Sequence, residues 1–355
     1  MSDLTANNIQ IETTVHSHFD QVDFDNLTFG SVFTDHMLVS DYQDGQWSEP
    51  KIIPYQPITL SPAAKVFHYG QTIFEGMKAY RDDNDEIFLF RPDENQKRLN
   101  ISAARLSMPA FPEAYFLAGI KALISLEKNW IPRADGGALY IRPFMLATEP
   151  EVSASPSKSY QFITICSPVK SYFEGDVSVR IATEYSRAAD GGVGFAKAGG
   201  NYAAQFLPTV LANQEGYQQV IWTDANTHEK LEEAGTMNIF FRLGDKLVTA
   251  PTSDRILDGI TRKSLIQLAQ DQGIDIEVRD IYVHEIIEAA QNQQLKEIFG
   301  AGTATVVSVI KGFAYKDQYF EIGTMKAGFA QQLKQMLVAI QTNQQEDPYG
   351  WRVKV

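Results

Sequence analysis

Gly191–Tyr202 reads GGVGFAKAGGNY, a stretch whose only charge is that of Lys197. A lysine is ordinarily a solvated surface residue. Here it stands among Gly, Ala and Phe. Dense glycine lets the backbone approach a ligand closely. Small apolar neighbours strip water from the ammonium group, which favours the free amine as a nucleophile toward a carbonyl. A flexible glycine loop with one exposed lysine is the competing reading, and composition alone specifies no reaction.

Three other segments bear on the choice. Asp258-Gly259-Ile260-Thr261 opens a predicted helix, where free N–H groups and the dipole favour a phosphate. Gly300-Ala301-Gly302-Thr303-Ala304 follows the strand-like EIF, and its small residues suit backbone contact with an anion. Glu233 lies in EEAGTMNIFF, ahead of a predicted strand. Either loop alone is more often an ordinary turn, and Glu233 alone also reads as a solvent-facing loop carboxylate. Together, a reactive lysine, anion-binding backbone and one carboxylate are what a pyridoxal 5′-phosphate (PLP) site needs. The carboxylate would keep the ring nitrogen protonated so that the ring can accept electrons.

Outward from these segments, short apolar runs alternate with helical patterns, an α/β arrangement. Strands are expected at Ser31–Ser40, Glu86–Phe90, Ala138–Leu146 and Gln161–Cys166. A helix capped by Asp93 carries Leu99, Ala103 and Leu106 at helical spacing until Pro109. The next begins near Pro112 and turns Phe116, Ile120, Leu123 and Ile124 inward. Ser167–Val177, SPVKSYFEGDV, is rich in Pro, Gly and charge and reads as an interdomain connection. The expected division is residues 1–169, a linker at 170–178, and residues 179–355. Beyond it, strands are expected at Val179–Thr183, Gln219–Thr223, Asn238–Arg242, Lys246–Ala250 and Glu297–Phe299. Helices are expected at Ile260–Gln272, Val283–Leu295 and Thr324–Ile340.

The chain has 355 residues with 44% hydrophobic composition, enough for two domains. With 31 basic against 44 acidic residues, the formal net charge is -13, which argues against nucleic acid and anionic membrane surfaces as partners. A few local cations can still hold a small anion. Cys166 is the only cysteine, so no internal disulfide forms and a reducing compartment is expected. The N-terminal residues lack the pattern of a targeting peptide. No apolar run approaches the roughly 20 residues of a membrane span. A cytoplasmic protein is expected. The His284-Glu285 pair has no zinc-site partner, neither a nucleophile elbow nor a Walker-type phosphate loop occurs, and the six histidines suggest no metal site.

The sequence resembles the branched-chain amino acid aminotransferases of the fold-type IV PLP enzymes, in their longer animal- and bacterial-type subgroup. The matching pieces are FTDHM (33–37), HYGQTIFEGMKAY (68–80), LFRPDENQKRLNISAARLSMP (89–109), LYIRPFMLATEP (139–150), GGVGFAKAGGNYA (191–203), EEAGTMNIFF (232–241), GITRKSL (259–265) and FGAGTA (299–304). They stand in the family's order. The resemblance implies a small N-terminal α/β domain, a larger domain on a barrel-like sheet, PLP between them, and a homodimer. By position, Lys197 resembles the lysine that carries the cofactor and shuttles the proton, Tyr202 the partner of the phenolic oxygen, and Glu233 that of the ring nitrogen. Arg98, the backbone of Ile260 and Thr261, and Thr303 match the phosphate ligands. Thr236 and Ala304 fall where the α-carboxylate is held. Phe29, Tyr69, Phe74, Tyr140 and Tyr172 resemble the walls of the side-chain pocket, Tyr69 reaching the neighbouring site, and Arg142 matches the arginine for glutamate's second carboxylate.

The implied reaction moves the amino group of leucine, isoleucine or valine to 2-oxoglutarate. One departure stands out: animal-type members place Cys-x-x-Cys after the Gly-Thr-Ala turn, where this chain has Thr305-Val306-Val307-Ser308. The alternatives are a sibling activity (D-amino acid aminotransferase or aminodeoxychorismate lyase), a non-catalytic phosphate-ligand binder, and a structural module, which leaves the clustered small residues unexplained.

Overall fold

The computed structural model describes residues 5–133, 136–170, 177–323 and 327–355. Contacts group the chain into two units. One comprises Met1–Tyr172, Ala196–Gly200 and Ile340–Val355, the other Phe173–Phe195 and Asn201–Ala339. Where the sequence reading divides the chain linearly, these contacts assign two later segments to the first unit, for local reasons. The Lys197 amide donates to Ser102 Oγ at 2.9 Å and its carbonyl accepts from the Phe74 amide at 3.0 Å. At the other end, Arg352–Lys354 pairs antiparallel with Ile87–Phe90. Residues 171–176, most of the expected linker, lie outside the described residues, and with them Tyr172.

The first unit is built on a sheet with Ala138–Ala147 and Tyr160–Val169 paired antiparallel over their whole lengths, Ala138 opposite Val169 and Ala147 opposite Tyr160. His36–Gln43 flanks one side and Met77–Arg81 the other. The alternation of a strand sorts side chains to two faces. Leu38 joins the cluster beneath the helices, whereas Met37 and Val39 join a separate cluster with Leu146 and Ile163. The helices Pro92–Arg105 and Glu113–Leu126 supply Leu99, Ala103, Phe116, Ile120, Leu123 and Ile124 to the first of these cores. Each large apolar side chain so buried contributes roughly 1.5–3 kcal/mol. The first helix starts one residue before the predicted cap. Pro92 takes the first helical position, where its fixed φ suits the helix, behind a left-handed Arg91 (φ 49°), and Asp93 falls in the first turn without capping. It also ends at Arg105, short of Pro109.

In the second unit six strands close on themselves. Met237–Leu243 pairs with Leu295–Gly302, and the circuit continues through Val306–Tyr315, Val177–Ile181, Gln219–Thr223 and Lys230–Ala234 back to Met237–Leu243. This is the expected barrel-like sheet, closed so that these strands leave no free edge between them. The closing seam is short, Glu233 opposite Asn238 and Ala234 opposite Met237, across a turn at Gly235 (φ 55°). The predicted helix Val283–Leu295 stops at Gln291. Gln293 turns the chain left-handed at φ 60°, and Leu295 opens a strand that runs to Gly302. A glycine is the usual signal for that turn, and its absence hid the helix end. Of the last predicted helix, residues 324–326 lie outside the described residues and the helix spans Phe329–Gln341. No helix among the described residues is long and apolar enough to cross a membrane.

Candidate active site

In the first unit, Lys197 is laid along the strand Thr72–Phe74 by the bond from the Phe74 amide and a bridge between Ile73 and Ala198, and Ser102 Oγ on the helix Pro92–Arg105 holds its own amide. The fit is close: a Cβ on Gly199 would stand 2.9 Å from Thr72 Cγ2. Lys197 Nζ lies 4.8 Å from the centre of the Phe74 ring. On the same ring sits the Arg142 guanidinium, 4.5 Å from its centre, and it lies 5.3 Å from that of Tyr140. Arg142 Nη2 donates to Tyr140 Oη at 2.8 Å, as two side chains on one strand face can. Arg142 Nε is buried with no hydrogen-bond partner, and among the described residues no carboxylate lies within ion-pair distance of this arginine. Phe29 closes on Tyr140 with ring centres 4.8 Å apart. Gly76 admits this arrangement, since any Cβ there would strike the Tyr140 hydroxyl. Tyr69 is elsewhere in this unit, 44% exposed at the end of the helix Lys65–Tyr69.

Arg98 is held where the sequence reading does not anticipate. Its Nε and Nη2 each donate to Glu75 at 2.8 Å, a bidentate pair in which the carboxylate is fully buried. Asn95 Nδ2 adds a third bond at 2.8 Å. Burial by itself pushes the Glu75 carboxyl up. The charge and hydrogen bonds of Arg98, followed by the charge of Lys197 and the bond from Asn95, outweigh it and hold Glu75 below the usual carboxylate range. Glu75→Gln should remove the buried negative charge from this pair and destabilise the apoprotein by about 3–5 kcal/mol at neutral pH. Because the folded-state value is depressed, this contribution is complete above the unfolded value of about 4.3. It is lost as pH falls through the folded value. Urea unfolding curves of wild type and variant should therefore separate at neutral pH and converge in acid. A gap that is the same at every pH would assign the loss to packing instead.

The second unit gathers the remaining expected residues around the barrel seam. Glu233 is not a loop residue but the fourth of the strand Lys230–Ala234, 3% exposed. Three donors meet its carboxylate: Leu257 N at 2.6 Å, Asn238 Nδ2 at 3.1 Å and Arg187 Nε at 3.2 Å. A carboxylate, with two acceptor oxygens, can take all three. Asn238 Nδ2 also donates to Leu257 O at 2.9 Å, and Asn238 leaves no room for a side chain at Gly259. Gly259 precedes the helix Ile260–Asp271, whose start has no side-chain cap, so its first-turn N–H groups are suited to an anion. Thr303 and Ala304 follow the strand Leu295–Gly302 in a turn, and Gly300 packs so tightly on Met237 that a Cβ would sit 2.6 Å from Met237 Cε. Tyr202, Thr236 and Glu233 line one small hollow of about 20 Å³ with Arg187, Gln205 and Asn238. The carboxylate, the tyrosine beside it and the uncapped helix fit the ring and phosphate of PLP by the chemistry of their donor set.

Sequence reasoning missed Glu75, Asn95, Ser102, Arg187 and Asn238. Glu75 and Asn95 stand inside quoted segments, but nothing in spacing singles out a buried acid whose partner lies 23 residues away.

The chain matches the model of the amino-transferase class IV family over residues 72–312. It is 46% identical over 336 residues to a probable branched-chain-amino-acid aminotransferase of Staphylococcus epidermidis, covering 93% of this chain and 94% of the relative. It is 42% identical over 357 residues to branched-chain-amino-acid aminotransferase 2 of Bacillus subtilis, covering 99% and 98%. Among solved structures, it is similar to the branched-chain aminotransferase of Thermoproteus uzoniensis with norvaline, at TM-score 0.73 and 22% identity over 89% of this chain and 98% of that one. It is also similar to the branched-chain amino acid aminotransferase of Thermobaculum terrenum in its PLP form, at TM-score 0.71 and 19% identity over 89% and 97%. At such identities the structural likeness is one of fold.

Proposed function

We propose, for a chain that belongs to the amino-transferase class IV family, that it is a PLP-dependent branched-chain-amino-acid transaminase. It moves the amino group of L-leucine, L-isoleucine or L-valine to 2-oxoglutarate, in two half-reactions with ping-pong kinetics. The observation that carries the substrate reading is Arg142, a cation without an acid partner among the described residues, set against Phe74 and Tyr140. Aromatic walls take an aliphatic side chain at about 0.8 kcal/mol per methylene removed from water. The γ-carboxylate of glutamate would be costly there without a partner, and Arg142 supplies one.

PLP, when bound, supplies an electron sink for the pair left at the substrate Cα. Lys197 Nζ would carry the cofactor and move the proton from Cα. Glu233 would hold the proton on the ring nitrogen, and Tyr202 would serve the phenolic oxygen. The phosphate falls to Arg98, the Ile260 and Thr261 amides and Thr303, and the α-carboxylate to Thr236 and Ala304. Phe29, Phe74, Tyr140 and Tyr172 bound the substrate side chain. Tyr69 serves the site of a second copy. A homodimer also suits the apolar surface of the helix Phe206–Gln214, where Phe206 is 66% and Leu207 57% exposed. We place the enzyme in the cytoplasm, a reading supported by its one cysteine, Cys166, a buried free thiol that burial pushes well above the usual range.

Half-reaction spectroscopy with L- and D-amino acids tests the assignment. L-leucine, L-isoleucine, L-valine and L-glutamate should convert the cofactor, and D-alanine should not; conversion by D-amino acids in preference would assign the sibling activity. Within that assay, Arg142→Met should weaken the glutamate and 2-oxoglutarate half-reactions by about 10- to 100-fold, the worth of a lost charged hydrogen bond. The leucine half-reaction should stay within a few-fold. Equal losses on both substrates, or none, would mean that another group holds the γ-carboxylate.

A further inference from the structure

Glu232 and Glu233 are adjacent in the strand Lys230–Ala234, and each has its own arginine. Arg255 pairs with Glu232 and with Asp190, so Arg187 is not needed on that side. Arg187, with its side chain 4% exposed, gives Nε to Glu233 at 3.2 Å, Nη1 to Arg255 O at 2.6 Å and Nη2 to Gly194 O at 3.0 Å. One planar head thus binds three separate stretches of chain in fixed directions, where a lysine's rotating ammonium would set no such fork. The stretch it reaches is fixed in turn: Phe195 N donates to Asp254 O at 3.0 Å, and a Cβ on Gly194 would come within 2.8 Å of the Arg255 backbone. Gly194 stands three residues before Lys197. A buried ion pair adds little net stability over an apolar pair of the same size, so this one calls for a different reason.

We propose that Arg187 is the positioning residue for Glu233, fixing the carboxylate in orientation and keeping it ionised, so that a proton shared with the cofactor's ring nitrogen stays on the nitrogen. The inference rests on the reading of Glu233 given above. Without the guanidinium the carboxylate competes better for that proton, the ring becomes neutral at lower pH, and the electron sink weakens.

The test is the nitrogen-15 resonance of ring-labelled PLP in the holoenzyme, followed against pH in the absence of substrate. In Arg187→Met, the transition from protonated to neutral ring should fall by about one to three pH units, the effect of removing one opposite charge nearby. Arg187→Lys, which keeps the charge but not the fork, should fall between that variant and wild type. Glu233→Gln should give a neutral ring throughout. If Glu233→Gln is neutral while Arg187→Met titrates like wild type, Arg187 is structural only and this proposal is wrong. If Glu233→Gln itself titrates like wild type, the Glu233 reading fails and takes this one with it. Should Arg187→Met not fold, the Lys variant decides: a lowered transition supports the proposal, and one coincident with wild type overturns it.

Discussion

Lys197→Ala is expected to fold, to retain PLP through the phosphate groups, and to lose transamination. The fold should survive because Lys197 is held by its backbone, through Ser102 Oγ and the Phe74 amide, and alanine keeps both bonds. The side chain gives stability through a cation–ring contact with Phe74, worth about 0.5–2 kcal/mol, and through the charge that helps to keep Glu75 ionised. The loss in rate should be far larger. A missing proton-transfer group alone slows a reaction by about 10²–10⁴-fold, and the covalent hold on the cofactor goes with it. Borohydride treatment followed by peptide mass mapping reads the assignment directly. Wild type should carry one phosphopyridoxyl group, on Lys197, and the variant none. An adduct on any other lysine of the wild type would move the catalytic role there.

Glu233→Gln comes next in size. The substitution preserves shape and leaves Leu257 N, Asn238 Nδ2 and Arg187 Nε pointing at a neutral amide. Two consequences follow, and they separate experimentally. The apoprotein should lose about 3–5 kcal/mol, because Arg187 becomes an uncompensated buried charge. Independently, the holoenzyme half-reaction with leucine should slow by orders of magnitude, since the carboxylate acts on charge that develops only in the transition state. A half-reaction within about threefold of wild type, under about 0.7 kcal/mol, would remove Glu233 from the chemistry and leave it a structural acid.

Much of the fold was legible from local pattern. The run of Phe116, Ile120, Leu123 and Ile124 at helical spacing names the buried face of Glu113–Leu126. Gln219–Thr223, a short run of three consecutive apolar residues between polar ends, begins and ends where the sequence reading puts it. Ends marked by unusual turn residues were not legible: Gln293 adopts φ 60° without being a glycine, so the pattern of the helix before it reads as continuing.

The sequence by itself determined the family, the lysine in its uncharged glycine-rich segment, and the aromatic and cationic residues that belong to the substrate reading, because these follow from residue type and order along the chain. Only the tertiary structure decided which charge answers which. Arg98 is gripped by Glu75, Glu233 is a buried strand residue at the barrel seam met by Arg187, and Arg142 has two aromatic rings but no acid among the described residues. The physical reason is that an ion pair is set by distance in space and by the loss of water around it, and neither quantity is written in the spacing of residues along a chain.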